Sequence, residues 1–517
     1  MSTTIQTPQH KFVIPTFRAF IILFFLFACL IITIITFADY QTMVTWLKPT
    51  AFKFPFEARE YHKIYFTPER FEILKIASAV SIIPITILSI FLWVHTKKLL
   101  TQAQLFLAFI KNQLQLTIHS FTKISSKEKY IFYAFFLVII VIRLINLKTL
   151  NGIHLDEIWS YNYFVAQGPV VCITYYPDTN NHILFNLISS FLYKLYAHPA
   201  FCMKLPVFIQ GLLLEVLIFF SMNRLFNFKT ALLAMVMTGA AAEICVYSIV
   251  GRGHLLCSLF ALSSLLSMIG YLKQNKKEYL TCLVIFSALG FYTVPTYLYF
   301  FIALCVFAFV ILLKERNFNQ LFPLIKAFCL TITGVFILYL PVIGISGLEA
   351  LTKSKWLKPM IPWDFGFNYW FRIYILEYFE AMADRVPFGN RKYIGVFIVF
   401  GCYVWLLFQS KNKNIQLWMT WMLITAFIPL IVCYYMKILA PYRVYVFQIV
   451  FFFISLSILI DFILRKFIPG NRTYYFILSA LLMYMIYNQV FNRKLLFGKV
   501  LLEKTLMTSD RNIDHHI

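Results

Sequence analysis

Long apolar stretches, separated by short polar ones, run along almost the whole 517-residue chain. A helix rising about 1.5 Å per residue needs roughly 20 apolar residues to cross a hydrocarbon layer about 30 Å thick. The pattern predicts thirteen such helices, over 17–37, 76–95, 130–147, 203–223, 229–247, 254–272, 278–292, 294–313, 323–345, 391–408, 416–435, 444–464 and 474–490. A further stretch, 182–198, is short and interrupted by Asn186, Ser189, Ser190 and Lys194. It predicts a helix lying in or dipping into the membrane interface.

Composition agrees with this periodicity. The chain is 61% apolar and 13% charged, against about 45–50% and about 25% in soluble domains, so a water-soluble core is excluded. Basic residues collect in short cytoplasmic loops of membrane proteins, and treating 182–198 as interfacial fixes which loops those are. Lys97, Lys98, Lys111, Lys123, Lys127 and Lys129, then Arg224 and Lys229, Lys273 to Lys277, Lys314 and Arg316, Lys411 and Lys413, and Arg465 to Arg472 all fall on one side. Segments 38–75, 148–202 and 346–390 fall on the other and are near neutral; the basic C-terminal tail breaks the pattern, which marks one late span as open to revision. The net charge of +24 is thereby explained by orientation and contact with anionic lipid, without nucleic acid. The first apolar run is long for a secretory leader and has no small-residue cleavage site, so it is expected to be retained. The ten cysteines lie mostly in predicted spans and show neither a disulfide framework nor metal-ligand spacing.

Candidate chemistry concentrates after the third predicted span. The run Asn151-Gly-Ile-His-Leu-Asp156-Glu157-Ile-Trp159 sets two adjacent carboxylates among aromatic residues at the membrane surface, where an ionised acid is costly unless something binds it. Such a group suits a base or a cation ligand. The competing reading is that Asp156 caps a short interfacial helix anchored by Trp159, Tyr161 and Tyr163. A second polar cluster, Tyr175-Tyr-Pro-Asp178-Thr-Asn-Asn-His182, opens the interfacial helix on the same side.

Taken in order, Asp156-Glu157, Asn181-His182-Ile183-Leu184, Lys204-Leu205-Pro206, Gly251-Arg252-Gly253-His254, Leu289-Gly290-Phe291-Tyr292-Thr293 and Ala440-Pro441-Tyr442-Arg443-Val444-Tyr445 resemble the motifs of the glycosyltransferase C (GT-C) superfamily. The resemblance is to the branch containing protein O-mannosyltransferases and the lipid A aminoarabinose transferase. The chain departs from it with Ile183 where proline is common, Lys204 where arginine is common and His254 in place of an aromatic residue. The resemblance implies an all-α, polytopic GT-C-like catalytic domain over 129–490, preceded by an accessory helical pair over 1–128 and followed by a short tail, 491–517. It implies a sugar donor carried on polyprenyl phosphate, an acceptor hydroxyl on a protein, glycan or lipid, and inversion at the anomeric carbon. By resemblance Asp156 is the base and Glu157 its helper, Arg252 and Arg443 hold the departing phosphate, and His182 and His254 add hydrogen bonds. Tyr292 would stack on the sugar or touch the phosphate. In the loop 346–390, Lys353 and Lys355 would guide the phosphate, beside aromatic residues that suit either sugar faces or a membrane belt. No cofactor is required, and a divalent cation beside the phosphate is compatible with a single Asp-Glu pair. The expected location is a bacterial inner membrane with the site facing outward. A lipid or glycan transporter is the rival reading; it predicts repeated halves with polar groups at the bilayer midplane, a pattern absent from this sequence.

Overall fold

A computed structural model describes residues 10–47, 66–149, 153, 155–177, 181–352, 392–436, 442–467 and 471–487. Among the described residues the chain is helix and connecting loop without a strand. Nine helices there are long and apolar enough to cross a membrane: Val13–Phe37, Pro68–Val94, Ser126–Lys148, Pro199–Leu225, His254–Gln274, Tyr297–Glu315, Phe318–Ser346, Lys413–Met436 and Arg443–Phe467. Helices satisfy their backbone hydrogen bonds internally, which is what lets them sit in hydrocarbon. The chain is an integral, multi-pass membrane protein.

The remaining four predicted spans fall in shorter helices, so the count of thirteen is not reached by this measure. These are Phe228–Ala240, Lys277–Thr293, Lys392–Gln409 and Asn471–Ile486. The predicted span 229–247 breaks at Ala241, whose extended backbone separates Phe228–Ala240 from Ala242–Tyr247. Small residues permit close passage there: a Cβ on Gly239 would stand 3.1 Å from Ile139 of the helix Ser126–Thr149. The stretch 182–198 forms a 13-residue helix, Ile183–Leu195, too short to cross. Between the second and third spans, the basic inner segment contains a 27-residue helix, Thr96–Thr122.

Helix starts follow local chemistry. Thr67 accepts from the Arg70 backbone with Pro68 in the first turn, and Asn227 accepts from Thr230, both side-chain caps of orphan N–H groups. Packing sorts the helices radially. In the central His254–Gln274 and Arg443–Phe467, 78% and 72% of the apolar window is buried, whereas in Val13–Phe37 and Pro68–Val94 only 6% is. The latter two therefore lie at the rim and present apolar side chains to lipid. Trp421, Phe300 and Phe451 interlock at the centre with ring separations of 5.2–6.0 Å.

Polar loops sort axially. At one end Arg224 donates to Gln113 (2.7 Å), Asn414 to the Leu225 carbonyl (2.6 Å), Lys273 to Asn414, and Arg465 to Asp461 (3.1 Å). These belong to the basic loops predicted to face inward. The opposite end gathers Asp156, His182, Arg252, Ser346 and Arg443, joined by the contacts described next.

Candidate active site

The carboxylate pair lies on a short helix, Leu155–Ser160, that widens into a π turn over Tyr161–Val165. Such turns recur at functional sites. Successive helical side chains point about 100° apart, so the two acids separate. Glu157 turns inward and is fully buried. Its Oε1 accepts from the Gly251 backbone N–H at 2.5 Å, and its Oε2 lies 3.5 Å from the Lys204 ammonium. Lys204 in turn donates to the Ile249 carbonyl at 3.3 Å. Asp156 turns outward and is 41% exposed, with its Oδ2 accepting from Arg443 Nη1 at 3.3 Å. Trp159 and Tyr163 stack at 4.0 Å and pack into an apolar cluster, which gives these rings a packing role within the protein.

Arg252 holds the site together. Its Nη1 donates to the Asp156 carbonyl (3.1 Å) and to Ser160 Oγ (3.0 Å), and its Nη2 lies 3.3 Å from His182 Nε2. The flanking glycines are shaped to their neighbours. A Cβ on Gly251 would meet the Met203 carbonyl at 2.7 Å and Glu157 at 2.9 Å; one on Gly253 would meet His182 Nδ1 at 2.8 Å and Thr293 at 2.9 Å. Each glycine thus brings its own N–H to a site side chain: Gly251 to Glu157, and Gly253 to His182 Nδ1 at 2.8 Å.

That last bond assigns the imidazole tautomer. Because Nδ1 accepts, the proton of a neutral ring sits on Nε2. His182 is indeed held well below its ordinary pKa by burial first, then by Arg252, His254 and Arg443. Its Nε2–H and Arg252 Nη2 are then two donors facing one space, and an anionic oxygen between them would satisfy both. His254 stands 4.8 Å from His182 ring to ring; it is buried, its Nε2 has no hydrogen-bond partner among the described residues, and it begins the helix His254–Gln274. The positive end of that helix dipole reinforces an anion site.

Of the remaining sequence candidates, Tyr292 is buried against Tyr339 at 5.9 Å in a cluster with Tyr176 and Ile183, so it walls the region beside His182. Lys353 and Lys355 lie outside the described residues. The site uses Lys204, Ser160, Gly251 and Gly253 in ways the motif reading missed. The available signal was the unusual Gly-Arg-Gly run, two residues without side chains around a cation. Glu215, within a span, pairs with Arg143 at 2.9 Å, both buried.

Among the described residues no three His, Cys, Asp or Glu side chains converge as metal ligands. Glu157 already faces an N–H and an ammonium, and Asp156 faces a guanidinium.

Comparison with known proteins covers the middle part of the motif series. Residues 180–345 match the family model "Dolichyl-phosphate-mannose-protein mannosyltransferase", which bears out the resemblance to the protein O-mannosyltransferase branch of the GT-C superfamily. No curated protein is significantly similar in sequence. Among solved structures, ArnT from Cupriavidus metallidurans in the apo state overlaps with a TM-score of 0.48 at 11% identity, over 65% of this chain and 60% of that one. The same protein bound to undecaprenyl phosphate gives 0.45 at 13%, over 65% and 61%. Arabinosyltransferase EmbB from Mycobacterium smegmatis gives 0.42 at 12%, over 63% and 30%. Overlaps this loose carry no argument about chemistry, and the chain spans less than two thirds of each of these proteins.

Proposed function

We propose that the chain is a membrane glycosyltransferase that moves a sugar from a polyprenyl-phosphate carrier to an acceptor hydroxyl at the extracytoplasmic face, with inversion. The observation that carries this reading is the meeting of an exposed carboxylate, Asp156, with Arg443, Arg252 and a neutral His182 at the end of the bundle opposite the basic loops.

Each group has a step. Asp156 takes the proton of the acceptor hydroxyl as its oxygen attacks the anomeric carbon. The bond from that carbon to the phosphate oxygen breaks with its electron pair staying on the phosphate, which leaves as polyprenyl phosphate with added negative charge. Arg252, Arg443 and His182 Nε2–H donate to that charge where it develops. Three cations gather here: Lys204 beside Glu157, Arg443 beside Asp156, and Arg252 donating to the Asp156 carbonyl and Ser160, a setting that suits a singly charged phosphodiester donor. Glu157 is buried behind the opening and acts by fixing the Gly251–Gly253 turn. Attack opposite the leaving phosphate inverts the anomeric centre. The carrier's tail stays in the bilayer while its head reaches the site. The expected setting is a bacterial inner membrane with the site facing outward, and the acceptor is a hydroxyl of a protein, glycan or lipid. No step is routed through a metal.

The test is transfer by the purified chain in lipid nanodiscs from labelled polyprenyl-phosphate sugars. Asp156→Asn keeps the shape and removes the basicity, so it should lose transfer while retaining donor binding. Normal turnover by that variant, or no transfer by the wild type from any such donor, would refute the proposal.

A further inference from the structure

The N-terminal helical pair, which the motif resemblance does not cover, touches the site segments at its loop end. Phe66 and Phe71 are buried with Tyr163, Phe164, Cys172, Tyr175 and Ile345 in one apolar cluster, with Tyr40 and Trp159 packed on it. Tyr40 stacks on Phe66 at 5.8 Å and donates to its carbonyl at 2.7 Å. Phe164 and Tyr163 belong to the turn that continues the Asp156 helix, and Trp159 is three residues beyond Asp156.

A polar chain runs in parallel. Arg70 Nη1 donates to the Ser346 carbonyl at 2.8 Å. Gly347, at φ +84°, makes room for that guanidinium: a Cβ there would stand 2.7 Å from Arg70 Nη1. Ser346 Oγ donates to the Thr174 carbonyl (2.7 Å) and accepts from the Tyr176 N–H (2.9 Å). Asn181 then donates to the carbonyls of Cys172 and Tyr175 at 3.0 and 2.8 Å, and Asn181 immediately precedes His182. The rim position of Pro68–Val94, with most of its surface toward lipid, makes this tie notable: the rim helix joins the site segments through its first turn.

We propose that the loop end of the N-terminal helical pair is a positioning element of the site. Arg70, with Tyr40, Phe66 and Phe71, holds the two segments that carry Asp156 and His182. They act by limiting the motion of 155–176 and of Asn181, which precedes His182. A displacement of about 1 Å at reacting groups can cost about a hundred-fold in rate, so a brace of this kind is felt in turnover rather than in donor affinity. The kinetic half of this inference rests on the transferase reading; the structural half does not.

The experiment measures amide hydrogen exchange and transfer kinetics on the full-length chain in nanodiscs. Arg70→Ala should speed exchange in 155–176 while leaving 254–274 at wild-type rates, and should lower kcat about ten-fold per folded molecule with donor KM nearly unchanged. Arg70→Lys, which keeps a donor, should recover most of the loss, as a merely structural defect in folding yield would not. Should Arg70→Ala fail to fold, Phe71→Leu carries the same readouts. Unchanged exchange in 155–176 would overturn the proposal, and so would faster exchange with unchanged kcat. An inactive wild type would count against the transferase reading alone, because exchange still reports on the brace.

Discussion

Substituting Gly253 by alanine adds one methyl group at a crowded point of the site, against His182. The Gly253 backbone has φ −74°, which alanine adopts freely, so the effect is one of space. The new Cβ would lie 2.8 Å from His182 Nδ1, 2.9 Å from Thr293 Cγ2 and 3.1 Å from His182 Cβ, all inside van der Waals contact. Overpacking of this kind costs about 1–3 kcal/mol. If the ring swings away it also forfeits the 2.8 Å bond from the Gly253 N–H, worth about 0.5–1.5 kcal/mol net. Relief moves the imidazole by several tenths of an ångström, and with it the Nε2–H that faces Arg252. The expected result is a fall in turnover of about ten- to a hundred-fold with a modest drop in Tm. Gly401→Ala is the control, since its Cβ would meet nothing within 4 Å. The assay is initial-rate transfer from a labelled polyprenyl-phosphate sugar alongside thermal unfolding of both variants. Equal turnover in the two would show that the Gly253–His182 contact does not set the site, and the tautomer argument would fall with it.

Glu157→Gln strands the buried Lys204 charge and should destabilise by about 3–5 kcal/mol; thermal unfolding should show the double variant Glu157→Gln, Lys204→Met recovering stability but not turnover. Arg143→Met should cost a similar amount by leaving Glu215 uncompensated in the bilayer, and Arg143→Met with Glu215→Leu should restore Tm and leave donor KM unchanged. A Tm that stays low in this double variant would contradict the pairing. For His182 the native pKa lies below the ordinary value of about 6.5, so the unfolded chain binds the extra proton first. Stability is therefore full above about pH 6.5 and is lost as pH falls below it. His182→Gln should flatten the fall in Tm between pH 7 and pH 5, and an unchanged slope would place the proton on His182 in the native protein.

Where a segment was uniformly apolar, its fate was legible, because about 20 such residues have few options other than a span. The helix Thr96–Thr122 escaped that test: its leucines and phenylalanines are interleaved with Lys97, Lys98, Gln102, Lys111 and Asn112, so no apolar window forms even though one face is continuous. The break at Ala241 carries no proline, and only packing against the helix Ser126–Thr149 explains it. Charge sorting was legible in advance, since the basic loops meet at one end of the bundle and Asp156 at the other.

The residues of the candidate site were legible in the sequence, but their placement relative to one another was not. Asp156 stood out as an acid among aromatic residues, and His182, Arg252 and Arg443 through the motif resemblance; the structure joins the four through contacts of 3.1–3.3 Å. The motif resemblance makes Asp156 the base and Glu157 its helper; a helix forces adjacent side chains apart, so Asp156 faces the opening and Glu157 lies buried behind it. Burial then separates their positions: the inward carboxylate meets Lys204 and a backbone N–H, while the half-exposed one meets the Arg443 guanidinium. The same logic distinguishes the cations. Among the described residues Lys204 is paired with Glu157, and the buried Arg252 with the Asp156 carbonyl, Ser160 and His182, so Arg443, 42% exposed, is the cation placed to move from Asp156 to a phosphate when a donor arrives. That exchange would release the carboxylate at the moment an acceptor needs a base, coupling donor binding to activation. It requires Arg443→Lys, which cannot fork between two oxygens, to weaken turnover more than donor binding; equal losses in both would confine Arg443 to holding the phosphate.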